Sequence, residues 1–372
     1  MKITDVNQYH VEHSLDGSYE PSWIPGYPQG VHEAEVFEIE TDEGITGVTA
    51  SPSFAGGLDY EEELRLFLLG EDPHDVERVL RKLETVDLLG PRPWHIEVAL
   101  WDIIGKDAGK PVYKLLGGDH GSRGPSDGIR AYASTAEVQD ADERLGYVED
   151  RVDEGFEAVK LRFQSEEIDD DIEVARRVRE EFPDLGIMVD ANMGWSARIM
   201  EDERRWSFGE AVDVARELEK VGVEWLEEPF DRHDYRSYAR LREKTDVPLA
   251  GGEFNDYHEF REFVSHDSLD VLQPDAMLAT GISRAKKVAD LAETNGVEFA
   301  PHTWTNGIGL AANLHLMAAT HARWCEYPYE PPWTPEARDF VIEGTIEHDD
   351  GYVSPPEGPG LGVEVDDEVL RE

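Results

Sequence analysis

Short apolar runs alternate with longer amphipathic stretches from about residue 125 onward. Eight runs have the length and apolar content of buried strands: IRAYAST, AVKLRF, GIMVDAN, VEWLEEP, PLAGGE, DVLQPD, EFAPHT and WCEYP. Stretches with helical spacing between them include DDDIEVARRVREEF, FGEAVDVARELEKVG, DYHEFREFVSHD, ISRAKKVADLAETNG and GLAANLHLMAATHA. This alternation favours an α/β fold built on a closed parallel barrel over an open doubly wound sheet. No GxGxxG motif follows an early strand, which also disfavours the open sheet.

The first part of the chain follows a different pattern. ITDVNQYHVEH and HEAEVFEIETDEGITGVTA alternate apolar and polar residues, as antiparallel strands do, and SLDGSYEPSWIPGYPQG between them predicts an unusually long loop. EEELRLFLLG, HDVERVLRKLETV and HIEVALWDIIGKDAG have helical spacing. The pattern predicts an α+β domain over residues 1–120, a barrel over 121–330, and a segment 331–372 that returns to the first domain.

Composition narrows the class of protein. The net charge is −47, and the acidic residues are spread along the chain rather than gathered in one interaction tail. We therefore expect adaptation to a high-salt cytosol, as in a halophile, and no binding to nucleic acid or to a membrane. The chain has one cysteine, no apolar run of membrane-spanning length and no apolar leader at its start. These features predict a cytoplasmic enzyme without a cysteine-based metal site.

Three carboxylates end three successive predicted strands: Asp190, Glu227 and Glu253. The carboxyl ends of barrel strands face one common mouth, so these side chains are expected to meet there. Oxygen ligands without sulfur or imidazole favour Mg²⁺ over zinc. The structural alternative is that Glu227 or Glu228 pairs with an arginine. That alternative would explain a single acidic strand end, but it does not explain acidic residues at three successive strand ends.

Other ionisable side chains occupy further strand ends. Lys160 and Arg162 lie two residues apart, so both should face the barrel interior. Lys160 could hold a substrate carboxylate, or its pKa could be lowered by the metal and Arg162; a salt bridge across the barrel floor is the structural alternative. Asp275 and His302 end consecutive strands and could form a hydrogen-bonded pair in which His302 acts as general base or acid. Glu326, expected opposite the two cations, could donate or hold a proton against a substrate carboxylate oxygen.

The chain resembles the enolase superfamily, in its mandelate racemase-like group (the mandelate racemase/muconate lactonizing enzyme family), over almost its whole length. The resemblance rests on a set of segments: ALWDIIGKDAGKPVYKLLGG (99–118), AVKLR, VDANMGW, WLEEPF, GGEF, QPDAM, PHTWTNGIG and CEYP. It implies a modified (β/α)₇β TIM-type barrel with an α+β N-terminal capping domain that C-terminal segments complete. Residues 14–30 and 51–57 resemble the capping loops that close over the substrate. A homo-oligomer is also expected.

The resemblance also implies roles for the residues at the strand ends. Asp190, Glu227 and Glu253 would bind one Mg²⁺ per subunit, with Mn²⁺ as a possible substitute. Asp275 and His302 would form the catalytic dyad, and Glu326 would partner a substrate carboxylate oxygen. A Lys or His base that works with Mg²⁺ is the established mechanism of that superfamily.

One position departs from the racemase pattern. The racemase has Lys-x-Lys at the end of the second strand, whereas this chain has Lys160-Leu161-Arg162. Arginine is a poor proton acceptor, which argues against moving a proton between two faces of one carbon. His302 as the base would suit abstraction of the proton α to a carboxylate, with Arg162 as an electrophilic clamp.

The sequence therefore predicts an Mg²⁺-dependent dehydratase of a sugar acid, an aldonate or aldarate, that forms a 2-keto-3-deoxy acid. Candidate contacts to the small carboxylate substrate are Asn192, Trp195, Trp304 and Asn306. A cycloisomerase of a sugar lactone or anhydro sugar acid is the alternative, followed by an epimerase or racemase. A binding protein without turnover is disfavoured by the intact ring of metal and acid/base residues.

Overall fold

The computed structural model describes residues 1–52, 59–88, 92–118, 128–197 and 204–371. The N-terminal part contains an antiparallel sheet in the order β1-β2-β3, and helices pack against it. Its strands are β1 (Ile3–Tyr19), β2 (Gln29–Thr41) and β3 (Thr46–Pro52). Its helices are α1 (Glu61–Leu68), α2 (Val76–Asp87), a 3₁₀ turn (Pro93–His95), α3 (Ile96–Ala108) and α4 (Val112–Leu115).

The loop between β1 and β2 is shorter than predicted. β1 continues to Tyr19, so the connection spans residues 20–28 instead of 14–30. The register of the hairpin shifts between Ser14 and Tyr19, and Gly17 lies there with φ of 119°. This irregularity in the pairing carries the strand through a Gly-containing segment that looks like a loop in the sequence. Most of the other predicted capping loop, residues 51–57, lies outside the described residues.

The second part is a parallel barrel of eight strands. They are β4 (Ile129–Ser134), β5 (Ala158–Arg162), β6 (Gly186–Asp190), β7 (Trp225–Glu227), β8 (Leu249–Gly251), β9 (Val271–Leu272), β10 (Glu298–Phe299) and β11 (Trp324–Pro328). Parallel ladders connect β4 through β10 in order, and β11 pairs with β4. No ladder joins β10 and β11 among the described strands, and the contacts there involve side chains. The backbone Thr303 N donates to Glu326 Oε2 at 3.1 Å, and Arg323 Nε lies 3.4 Å from Glu298 Oε1.

A helix follows each of the first seven barrel strands, which confirms the predicted modified (β/α)₇β arrangement. These helices are α5 (Ala141–Asp153), α6 (Ile168–Glu181), α7 (Phe208–Val221), α8 (Tyr235–Arg242), α9 (Tyr257–Ser265), α10 (Gly281–Asn295) and α11 (Gly307–Ala318). A short π-helix (Ala276–Thr280) precedes α10. The helical segments named from the sequence did not include α5 and α8. Within the described ranges, no helix is both long and apolar enough to cross a bilayer.

The barrel interior is layered, and this layering determines where the polar side chains lie. One buried apolar cluster takes a residue from each strand or its immediate end: Tyr132, Ala158, Met188, Trp225, Ala250, Val271, Ala300 and Trp324. A side chain two positions further along a strand faces the interior again. Those positions are Ser134, Lys160, Asp190, Glu227, Gly252, Gln273, His302 and Glu326. The sequence thus places an apolar floor beneath a nearly continuous polar layer.

Strand β8 breaks this spacing at its end. Gly251 and Gly252 have φ of 156° and 109°, backbone conformations that a residue with a Cβ rarely adopts. They turn the chain so that Glu253, three positions after Ala250, reaches the barrel mouth. The two glycines therefore place Glu253, the third candidate metal ligand, at the same end of the barrel as Asp190 and Glu227.

The C-terminal residues contact both preceding parts of the chain. Leu361 N donates to Asp102 Oδ1 at 2.9 Å in α3, and the last 3₁₀ turn (Val369–Arg371) lies against β1. The hairpin of β12 (His348–Asp349) and β13 (Tyr352–Val353) joins β4, and α12 (Pro335–Arg338) lies between β11 and that hairpin. The domain boundaries at residues 120 and 330 stay a prediction.

Candidate active site

Each candidate metal carboxylate is buried and contacts polar side chains from other strands or loops of the barrel. Asp190 Oδ2 lies 2.5 Å from Arg162 Nη1 and 3.4 Å from Lys160 Nζ. Glu227 accepts hydrogen bonds from Lys160 Nζ at 3.0 Å and from Gln273 Nε2 at 2.9 Å. Glu253 accepts one from the Trp195 indole N–H at 2.6 Å. The structure therefore brings all three to the same end of the barrel.

The carboxylate oxygens of Asp190, Glu227 and Glu253 do not all lie within 4.8 Å of one another, as three ligands of one ion would. In the described chain, the one group of three His or acidic side chains whose ligand atoms all lie within 4.8 Å of one another is His10, Glu12 and Glu33, on the β1–β2 hairpin. At the barrel mouth, Lys160 and Arg162 lie between carboxylates that would otherwise repel one another. Burial, with repulsion from neighbouring carboxylates, raises the pKa of Glu227, and burial raises that of Glu253.

Lys160 is fully buried and forms ion pairs on three sides. Its Nζ lies 2.6 Å from Glu326 Oε1 and 3.0 Å from Glu227 Oε1, with Asp190 slightly further away. Burial alone would lower its pKa, but the carboxylates of Glu227 and Glu326 outweigh burial and raise the pKa. This is opposite to the lowered pKa considered from the sequence, because that expectation included the positive charge of a metal ion.

Arg162 is held by several of the residues around it. Its Nε donates to the Thr135 carbonyl at 2.6 Å, and Nη1 contacts Asp190. The guanidinium carbon lies 5.0 Å from the ring centre of Trp23 and 5.3 Å from that of Trp304. Burial opposes the charge, but carboxylates led by Asp190 outweigh burial and raise the pKa of Arg162. Such a group stays charged and fixed, so it can hold an anion but does not accept a proton.

The predicted Asp275–His302 pair is formed. His302 Nδ1 lies 2.8 Å from Asp275 Oδ2, which leaves Nε2 facing Glu253 Oε2 at 3.4 Å. Asp275 is itself held, because its Oδ1 accepts from Met277 N at 2.7 Å and from Asn313 Nδ2 at 3.2 Å. Burial lowers the pKa of His302, but Glu253, Glu326 and Asp275 outweigh burial and raise the pKa to about 10. A bound divalent cation would offset these carboxylates and bring the pKa back toward neutrality.

Glu326 lies beside the cations rather than across the mouth from them. Its Oε1 contacts Lys160 Nζ and accepts from Ser134 Oγ at 2.7 Å, while Oε2 accepts from Thr303 N. Burial would raise its pKa, but Lys160 and His302 outweigh burial and hold the pKa well below its usual range. The sequence predicts two alternative roles for Glu326: donating a proton, or holding one, against a substrate carboxylate oxygen. A lowered pKa means that Glu326 is ionised, which argues against its acting as the proton donor.

The buried charge at the mouth is strongly unbalanced toward the negative. Among the residues that the structure describes, six carboxyl groups are buried there: Asp190, Glu227, Glu228, Glu253, Asp275 and Glu326. The buried cationic groups that face them are Lys160, Arg162 and, when protonated, His302. Neither carboxylate oxygen of Glu228 has a hydrogen-bond partner within the described protein. Burying unpaired carboxylates is costly, and a hard divalent cation with oxygen ligands would relieve that cost. The donor set therefore fits Mg²⁺.

A cavity of about 510 Å³ opens above this charged layer. Arg162, Asn192, Glu253 and His302 line it from the barrel, and Trp195 and Trp304 add aromatic surface. Trp23, from the β1–β2 connection, meets Trp304 edge to face at 5.1 Å between ring centres. Trp333, from the C-terminal segment, also stacks on Trp304, at 6.0 Å between ring centres. Three separate parts of the chain thus build one wall.

Of the four predicted substrate contacts, Asn306 is not among the residues that line this cavity. Its Oδ1 accepts from Gly309 N at 3.1 Å, which caps α11, and its Nδ2 donates to the Ala50 carbonyl at 3.3 Å. Asn192 lines the cavity and also accepts from Ser22 Oγ at 2.8 Å, so the β1–β2 connection is attached to the barrel mouth. A buried asparagine that follows a strand signals a polar contact, but the sequence does not distinguish a helix cap from a ligand contact.

Several residues of the site were missed from the sequence. Gln273 and Ser134 occupy the same interior layer as the ionisable residues, so the spacing of two along a strand could have found them. Asn313 bridges the Asp275 carboxylate and the His302 carbonyl from α11, and only the packing of that helix shows this. Trp23 and Ser22 lie in a loop whose docking position has no signal in the local sequence.

Polar residues collected at the carboxyl ends of a parallel barrel are the architecture of a barrel enzyme. Residues 144–369 match the family described as enolase C-terminal domain-like, and residues 29–117 match the mandelate racemase/muconate lactonizing enzyme N-terminal domain. The chain belongs to the enolase superfamily, as the resemblance in its motifs indicated.

Relatives and solved structures cover nearly the whole chain. Arabinonate dehydratase of Saccharolobus solfataricus is 32% identical, with 100% of this chain and 98% of the relative covered. D-galactarolactone cycloisomerase of Agrobacterium fabrum is 31% identical, with the same coverage of both chains. The crystal structure of L-talarate/galactarate dehydratase from Salmonella typhimurium, liganded with Mg and L-lyxarohydroxamate, has a TM-score of 0.81 and 28% identity, covering 100% of this chain and 92% of that one. These relatives are sugar-acid dehydratases and a cycloisomerase, so the family is one of enzymes.

Proposed function

We propose that this protein is an Mg²⁺-dependent dehydratase of a sugar acid, an aldonate or aldarate. The observation that carries the proposal is the one-sided arrangement of the mouth. His302, oriented by Asp275, presents Nε2 to the cavity, whereas Arg162 occupies the position of the racemase's second lysine and is fixed by Asp190 and two tryptophans. One competent base suits removal of a proton followed by loss of a leaving group. A single base does not suit racemisation, which transfers a proton between the two faces of one carbon.

The metal would be held by Asp190, Glu227 and Glu253, one ion per subunit, with Mn²⁺ as a possible substitute. When bound, it supplies Lewis-acid stabilisation of the negative charge that develops on the substrate carboxylate. Lys160 and Arg162 add fixed positive charge beside that carboxylate, and preorganised charge of this kind stabilises an enediolate without reorganisation during the reaction. Glu326, held by Lys160 and Ser134 at the same end of the barrel, would partner a substrate carboxylate oxygen.

The chain's own residues carry the proton transfers. His302 Nε2 takes the proton from the carbon α to the carboxylate, while Asp275 holds the Nδ1–H and stabilises the imidazolium. The electrons of the broken C–H bond form the enediolate and then expel the β-hydroxyl, to which His302 returns the proton as water leaves. The remaining enol tautomerises to the 2-keto-3-deoxy acid. His302 thus ends each turnover in its starting state.

A cycloisomerase of a sugar lactone or anhydro sugar acid is the second candidate, because it needs the same proton abstraction. The identity to D-galactarolactone cycloisomerase, nearly equal to that with arabinonate dehydratase, supports keeping it. An epimerase or racemase comes third, since it requires a second acid/base and Arg162 is poorly suited to that role.

The test is incubation of the purified protein with aldonates, aldarates and their lactones in D₂O, with Mg²⁺ and again with EDTA. Mg²⁺-dependent 2-keto acid from an aldonate or aldarate is the expected result. Turnover of lactones or anhydro sugars alone would support the cycloisomerase, and α-deuterium in a recovered epimer would support racemisation. Inactivity across the whole panel, with Mg²⁺ present, would favour a binding protein. His302→Asn should abolish turnover but keep Mg²⁺ binding.

A further inference from the structure

The carboxylate of Glu228 has no role in the three-ligand metal site, yet it is buried at the same end of the barrel. It is 1% exposed, and neither of its oxygens has a hydrogen-bond partner in the described protein. A buried carboxylate without partners costs free energy, so its retention needs a compensating interaction. Glu228 follows Glu227, the last residue of β7. In a regular strand the side chains of two successive residues point to opposite faces, so the position of the Glu228 side chain depends on the backbone just after the strand.

The backbone of Glu228 lies between the strands that bear the other two candidate ligands. Its N–H donates to the carbonyl of Ala250 in β8 at 3.1 Å, and its carbonyl accepts from Met193 N, just after β6, at 3.0 Å. Its φ is 47°, a left-handed conformation that is uncommon for residues other than glycine and is found preferentially at functional sites. Glu228 is therefore bound between the chain segments that carry Asp190 and Glu253.

The Glu228 carboxylate lies against Gly194. A Cβ added to Gly194 would collide with both Glu228 carboxylate oxygens, so this position needs the absence of a side chain. Burial, followed by the charges of Glu253, Asp190 and Glu227, raises the pKa of Glu228 well above its usual range. A bound divalent cation would favour the ionised form of a carboxyl group buried beside these three candidate ligands.

We propose that Glu228 is a fourth carboxylate of the cation site, and that it accepts hydrogen bonds from water molecules in the coordination shell of the bound divalent ion. Mg²⁺ keeps several of its waters in proteins, and outer carboxylates that bind such waters contribute to affinity. The inference rests on the proposed function, because it assumes that Asp190, Glu227 and Glu253 bind the ion.

The experiment measures Mn²⁺ binding to the metal-free protein by the electron paramagnetic resonance signal of the free ion. Glu228→Gln keeps the shape and removes the charge, and we expect Mn²⁺ affinity to fall about 10- to 100-fold. Gly194→Ala, which displaces the same carboxylate, should weaken binding in the same direction. Glu224→Gln is the matched control, because it removes one charge at the other end of β7, where Glu224 is a third exposed and pairs with Arg323. The control should bind Mn²⁺ like the wild type.

Stability without metal separates a cation role from a structural one. In EDTA, Glu228→Gln should melt at the wild-type temperature or above, since the Glu228 carboxyl forms no hydrogen bond within the described protein that the variant would lose. Mn²⁺ should raise its melting temperature less than that of the wild type. A lower melting temperature in EDTA, or Mn²⁺ affinity within about twofold of the control, would overturn the inference. Asp190→Asn tests the underlying site: if it loses Mn²⁺ while Glu228→Gln keeps it, the three-ligand site stands and only the role of Glu228 falls. If Asp190→Asn binds Mn²⁺ normally, the proposed metal site itself is wrong.

Discussion

Replacing Arg162 by lysine tests whether this residue is fixed by its surroundings rather than acting as a base. The Arg162→Lys variant keeps the charge and one ion pair to Asp190, but it loses the hydrogen bond from Nε to the Thr135 carbonyl. It also loses the flat guanidinium between Trp23 and Trp304. A hydrogen bond of a charged group contributes about 1.5–3 kcal/mol, and a desolvated cation–π contact about 0.5–2 kcal/mol. Some attraction between the ammonium and the rings remains, so we expect the free energy of unfolding to fall by about 2–4 kcal/mol.

The assay is urea unfolding in EDTA, so that differences in metal binding do not enter the comparison. The matched control is Arg323→Lys, because Arg323 is half exposed, pairs with Glu224 and stacks on Trp324 at 5.4 Å. Exposed ion pairs contribute little, so the control should change the free energy of unfolding by less than about 1 kcal/mol. Equal midpoints for wild type and Arg162→Lys would refute the idea that these contacts hold Arg162. A racemising Arg162→Lys variant that is as stable as the wild type would further show that the position is free to host a base.

Three further predictions concern the catalytic pair and the surface charge. Asp275→Asn should lower kcat by about 10⁴-fold with Mn²⁺ affinity unchanged, since it removes the group that orients His302; a loss below tenfold in steady-state assays would contradict the dyad. Because the pKa of His302 is raised from 6.5 to about 10, its protonated ring stabilises the metal-free fold fully below about pH 6.5 and progressively less as the pH rises through 10. The difference in unfolding free energy between wild type and His302→Gln should therefore shrink from pH 6 to pH 10.5. The net charge of −47 predicts that the melting temperature rises steeply with KCl up to molar concentrations; a flat dependence would remove the basis for a halophilic origin.

The sequence predicts the polar layer of this barrel well because a strand's side-chain period of two is set by local geometry. Lys160 and Arg162 both face the interior for that reason, and the same spacing from the apolar floor leads to Asp190, Glu227 and His302. Glu253 follows from its position after a strand, although the glycine turn that directs it inward breaks the period. These predictions need no knowledge of which strands are neighbours in the barrel.

The parts that escaped prediction depend on long-range packing. Asn313 reaches Asp275 only because α11 packs against the π-helix. Trp23 reaches Arg162 only because the β1–β2 connection crosses to the barrel. The length of that connection was overestimated, since Gly17 signals a loop locally but an irregular strand once β2 pairs beside it. The sequence indicates for Glu228 only the structural alternative in which Glu227 or Glu228 pairs with an arginine, because the left-handed backbone at this position has no signature in the sequence.

The wall formed by Trp23, Trp304 and Trp333 has a consequence for protein engineering. Its members are contributed by the N-terminal hairpin, the barrel and the C-terminal segment, and each tryptophan rests on a ring from another segment. Exchanging only the barrel, or only the capping domain, with a relative would place aromatic side chains from two different proteins against each other, and their shapes need not match. Substrate preference should therefore transfer between relatives only when all three segments are exchanged as a unit, and single-segment chimeras should lose discrimination before they lose the ability to remove the α-proton.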